Sequence, residues 1–184
     1  MKSVYILLTK TNTLPARIIR KVNGDTYSHA SIALDKELNE LYSFARRNIH
    51  FPLIAGFIHE DIDTGIFARN GDAPCALYEL EINEDTYESI KSRIGDMLNN
   101  YDAYKYNLIG LIMYNFGISI ERRYHFVCSQ FVAHILYTNG ALKFPKKINL
   151  IKPADFCDLP ELHEVYKGRL RNVKSHFLSS SRMT

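Results

Sequence analysis

The sequence predicts an α+β fold in which a mainly antiparallel sheet is packed by helices and a cysteine opens one of those helices. Two observations carry this. Short apolar or alternating runs, Val4–Leu8, Tyr27–Leu34, Leu41–Ala45 and Cys75–Ile82, have the length of strands and are bounded by turn residues. In the second half, Phe131, Val132, Ile135 and Leu136 follow Cys128 at +3, +4, +7 and +8, so the cysteine heads the apolar stripe of a helix stopped by Gly140.

The chain of 184 residues fits one domain, predicted over 1–168, with 169–184 as a basic flexible tail that contains no acidic residue. An apolar content of 46% is enough for a proper core, and a net charge of +3 gives no ground for a nucleic-acid partner. The cysteines, Cys75, Cys128 and Cys157, are odd in number and widely spaced, without a CxxC pair, which suits a reducing compartment. Val4–Leu8 is too short for a signal peptide, and 108–120 is broken by Gly110, Asn115 and Gly117. The expectation is a soluble cytoplasmic protein without cofactor or metal.

Val4–Leu8 reads as a central strand covered on both faces. Thr13 and Pro15 open a short helix with Leu14, Ile18, Ile19 and Val22 on one side. Tyr27–Leu34 is a strand that places His29, Ser31 and Ala33 on one face, a small and polar surroundings for a histidine. Leu41–Ala45 returns as its hairpin partner. From Arg46 to Asp72 prolines and glycines interrupt the pattern, and this long irregular segment is expected to be a functional loop. Asn83 or Asp85 caps a helix whose buried stripe is Tyr87, Ile90, Ile94, Met97 and Leu98. Asn107–Met113 is expected to be a buried helix in which Gly110 allows close packing, and 160–166 a final helix turn or two.

A histidine on a strand and a cysteine at a helix start are the two parts of a thiol nucleophile. Free N–H groups and the partial positive charge at a helix N-terminus favour thiolate, and an imidazole accepts the thiol proton. Taken singly, each residue also has an ordinary structural reading, a buried small hydrophobe and a satisfied core histidine.

Tyr27-Ser28-His29-Ala30-Ser31-Ile32-Ala33-Leu34, the hairpin to Leu41-Tyr42-Ser43-Phe44-Ala45, and the later Phe126-Val127-Cys128-Ser129-Gln130-Phe131-Val132 together resemble the circularly permuted papain-like hydrolases. That group includes the YiiX-like amidases and lecithin retinol acyltransferase, relatives of the NlpC-type cell-wall peptidases. The resemblance runs from about Val4 to Phe156 and lies in the order of the parts, histidine strand first and cysteine helix much later. It implies a permuted papain-like fold, Cys128 as nucleophile, His29 as general base, and an amide or ester substrate handled through an acyl-thioenzyme.

The family's orienting polar residue falls here on Ser43, which cannot stabilise an imidazolium by charge. Glu60 is the carboxylate substitute, with His50 behind it, and a carboxylate on the second imidazole nitrogen would fix the tautomer. Arg122, Arg123 and Tyr27 are the substrate-binding candidates. Peptide amide and acyl lipid both remain open as substrates, as do peripheral membrane contact and the oligomeric state. A ligand-binding module on the same fold is the alternative, supported by the uncharged Ser43. A metal site on His125, Cys128 and a further histidine ranks last, because its H-x-x-C spacing lacks a second ligand pair.

Overall fold

In a computed structural model the described residues are 1–10, 26–47, 54–114 and 116–180. They form strands β1 (Lys2–Thr9), β2 (His29–Ala33), β3 (Leu41–Arg46), β4 (Ala55–Glu60), β5 (Pro74–Ile82), β6 (Lys105–Tyr106), β7 (His125–Phe126) and β8 (His163–Arg169). The helices are α1 (Gly65–Arg69), α2 (Glu84–Asn99), α3 (Leu108–Tyr114), α4 (Cys128–Thr138) and α5 (Val173–Ser180). The strands make one sheet in the order β7-β6-β4-β3-β2-β1-β5-β8. Every pairing in it is antiparallel except β6 with β7. The helix expected from Thr13 to Val22 lies outside the described residues.

The fold is therefore α+β with a mostly antiparallel sheet, and each face of the sheet carries its own core. On one side Ala30, Ile32, Phe44 and Phe57 meet Phe131, Val132, Ile135 and Leu136 of α4 together with Ile90, Ile94 and Met97 of α2. Each of the larger side chains, Val, Leu, Ile, Phe or Met, buried to this degree contributes about 1.5–3 kcal/mol relative to exposure. On the other side Tyr5, Leu7, Leu41 and Leu77 are covered by Phe67 of α1 and by Leu170 and Val173 near the C-terminus. β1 touches both cores, which is why its apolar run is continuous rather than alternating.

Asn83 is the cap of α2, its side chain accepting from the Thr86 N–H at 2.7 Å. Gly140 adopts φ = 72°, the left-handed conformation that closes α4, and the Ala141 N–H returns to the Leu136 carbonyl at 2.8 Å.

Several expectations need correction. The segment from Arg46 to Asp72 contains a regular strand, β4, as well as α1. Its pattern is hidden by Gly56, which the packing requires, because a Cβ there would meet the Tyr104 carbonyl oxygen at 2.4 Å. α3 is not a buried helix: Leu111 is enclosed, while Leu108, Ile109 and Ile112 face outward, and Leu98 of α2 is exposed too. Gly110 serves a local purpose, since the Asn107 side chain caps its N–H at 2.9 Å and occupies the place of a Cβ. Residues 163–169 form an edge strand on β5 instead of a helix turn. The segment expected as a flexible tail continues into α5, because Leu170 and Val173, with Phe177 partly buried beside them, make an apolar stripe among the basic residues. No helix among the described residues is long and apolar enough to cross a membrane.

Candidate active site

His29 is the first residue of β2 and Cys128 the first of α4, and the two element ends meet. Glu60, the last residue of β4, pairs with Leu41, which also pairs with Ala33, so Glu60 shares the sheet face of His29 and Ser31. His29 Nε2 lies 3.0 Å from Glu60 Oε1, and the Ser31 hydroxyl donates to the other carboxylate oxygen, Oε2. Ser31 Oγ is also 3.3 Å from His29 Nε2. Cys128 lies close enough to the imidazole to influence its protonation.

This cluster lies inside the molecule: Cys128 is 2% exposed, and His29 and Glu60 are each 8% exposed. Burial alone would drive the imidazole towards its neutral form. The Glu60 carboxylate and then Cys128 outweigh that penalty and push the His29 pKa up from 6.5 to about 10. The proton shared within the cluster therefore rests on His29 at neutral pH. The thiol is more enclosed than a reactive cysteine ordinarily is.

The head of α4 is fixed by residues that sequence reasoning passed over. The Ser129 hydroxyl donates to the Ile151 carbonyl at 2.6 Å. Gln130 donates through Nε2 to the Asn149 carbonyl at 2.8 Å and accepts the Val127 N–H at 3.2 Å. Two polar residues on an otherwise apolar helix face were the available signal. The helix is entered from Val127, whose side chain caps nothing, so no cap side chain takes up the N–H groups of the first turn.

The other candidates fall elsewhere. Ser43 Oγ is buried with no hydrogen-bond partner among the described residues, so it does not orient His29; Glu60 has the charge and the reach that Ser43 lacks. His50 lies outside the described residues. Tyr27 is packed into the main core and only 5% exposed, so it offers no face to a ligand. Arg122 and Arg123 line a separate cleft of about 1200 Å³ near β7, whose walls include neither Cys128 nor His29. His125 donates from Nδ1 to the Arg123 carbonyl at 2.7 Å, and no group of three His, Cys, Asp or Glu side chains among the described residues is placed to hold a metal. Cys75 is buried, which pushes its thiol up to about 12. Cys157 is exposed yet also raised, chiefly by partial burial of its sulfur.

Compared with models of known protein families and with curated proteins, the chain matches none.

Proposed function

We propose that the protein is a cysteine hydrolase or acyltransferase of the permuted papain-like type, acting on an amide or ester through an acyl-thioenzyme. The observation that carries this reading is the meeting of Cys128, His29 and Glu60 at three element ends, with the imidazole in contact with the carboxylate and influenced by the thiol. The arrangement suits a proton carried by imidazolium between a nucleophile and an orienting anion.

The Cys128 sulfur attacks the substrate carbonyl, forming a C–S bond while the C=O electrons move onto oxygen. First-turn N–H groups of α4 stabilise that oxyanion. Collapse breaks the C–N or C–O bond, and His29 gives its proton to the departing amine or alcohol. His29, now neutral, takes a proton from water or from an acceptor alcohol or amine, which attacks the thioester and releases the sulfur. Glu60 holds the imidazole in one tautomer throughout and balances its charge, while Ser31 holds Glu60.

A binding module on the same fold is the second reading, and the enclosed thiol is the feature that favours it. Its earlier support, an uncharged orienter, is weakened by the Glu60 contact. Incubation with activated acyl esters and with cell-wall stem-peptide fragments, followed by intact mass measurement, separates the two. The enzyme acquires one acyl mass, located on Cys128 and absent from Cys128→Ala. A chain that binds these compounds and never carries an adduct is a binding module.

A further inference from the structure

The cleft near β7 has no part in the chemistry described above, and we infer that it recognises a dianionic group of the ligand, a phosphate monoester being the simplest such group. Its volume of about 1200 Å³ is ample for a small ligand. Arg93 of α2, Arg122, Arg123 and Lys147 line it, and none has a carboxylate partner among the described residues. Lys146 on the same wall is already tied to Asp155 at 2.7 Å. Among the described residues Asp96 and Glu121 are the wall's carboxylates, so there four uncommitted cations face two anions, an excess of two positive charges. A group with two negative charges matches that excess, and guanidinium forks suit its oxygens.

The arginines are presented by a turn held in place. The His125 N–H donates to the Arg122 carbonyl at 3.0 Å and its ring Nδ1–H to the Arg123 carbonyl at 2.7 Å. Between them Tyr124 sits at φ = 59°, a left-handed conformation rare outside glycine and retained where surroundings impose it. The Arg123 guanidinium lies 4.8 Å from the Tyr124 ring centre, and Tyr124 meets Tyr104 edge-on at 5.2 Å. With Phe144 on the wall, these rings provide an apolar flank for the remainder of the ligand.

The cleft also adjoins the nucleophile. Phe126 is part of its wall and stands two residues before Cys128, a Cα separation of at most roughly 7 Å. Asn149, another wall residue, accepts the hydrogen bond that pins the first turn of α4. As a substrate-recognition site the cleft rests on the reading of Cys128 as nucleophile; as an anion-binding site it stands without it.

Calorimetric titration of the full chain with phenyl phosphate and with benzoate, at low ionic strength, tests the assignment. Phenyl phosphate is expected to saturate, to bind at least about tenfold more tightly than benzoate, and to lose at least about tenfold in Arg122→Ala/Arg123→Ala. Added salt weakens the wild-type interaction, a check that does not depend on the variant folding. Failure to saturate, equal binding of benzoate, or unchanged affinity in the double variant overturns the assignment. Cys128→Ala keeps its phenyl phosphate affinity; a loss there would put the anion at the thiol and also overturn it. Retained binding in a chain that never forms an acyl adduct removes the enzymatic reading and leaves the cleft assignment intact.

Discussion

Cys128→Ser is expected to lower turnover of an activated acyl ester by about a thousandfold or more while the chain stays folded. The substitution changes one buried atom. The bonds that hold the head of α4, from Ser129 and Gln130, do not involve the Cys128 side chain. A serine hydroxyl is a far weaker acid than a thiol, and in the proposed mechanism the His29–Glu60 pair takes its proton from sulfur. Steady-state kinetics with a thermal melt as control reads the outcome. Turnover within about tenfold of wild type, at unchanged stability, would show that sulfur is not the nucleophile.

Glu60→Gln is expected to cost up to about 10,000-fold in turnover, the loss produced when a triad carboxylate becomes an amide. The amide fills the same space but removes the negative charge and presents a donor to one of two partners, His29 Nε2 or Ser31, that need an acceptor. The pH profile should move as well. Glu60 is the largest influence raising His29, so general-acid catalysis persists in the wild type until the pH rises through about 10 and fails at lower pH in Glu60→Gln. Stability follows the same sign. A raised histidine pKa contributes fully below the unfolded value of 6.5 and is lost as the pH approaches about 10, so the melting difference between wild type and variant narrows over that interval. An alkaline limb at the same pH in both chains would mean that Glu60 does not act on His29.

Much of this arrangement was legible in the residues, and the parts that were not have physical causes. The strands β1, β2, β3 and β5 and the α4 stripe announce themselves because one apolar periodicity governs each. The juxtaposition of Cys128 and His29 could be anticipated only from their order and element contexts, since 99 positions separate them in the chain. The sequence offers Glu60 as the carboxylate but within an irregular segment, because β4 contains Gly56 and lacks clean alternation; its place at a strand end depends on the pairing of Leu41 with both Ala33 and Glu60. Ser31 was assigned to the right face without its bond to Glu60, a contact between residues 29 positions apart. α3 misled because its apolar residues were read as core, whereas three of them face outward. The C-terminal stripe of Leu170 and Val173 was masked by the basic residues around it.

The most direct measurement of the central claim is the rate at which iodoacetamide alkylates each cysteine at neutral pH, resolved by peptide mass, in the wild type and in His29→Ala. Cys75 is enclosed with a thiol raised to about 12, and Cys157 is accessible but also raised, so accessibility alone favours Cys157. On the proposed mechanism His29 activates the Cys128 thiol, and that activation reverses the order. The account predicts that Cys128 reacts fastest despite its 2% exposure and that His29→Ala slows it by at least about tenfold, leaving Cys157 unchanged. Cys128 reacting no faster than Cys157, and indifferent to the loss of His29, would contradict it.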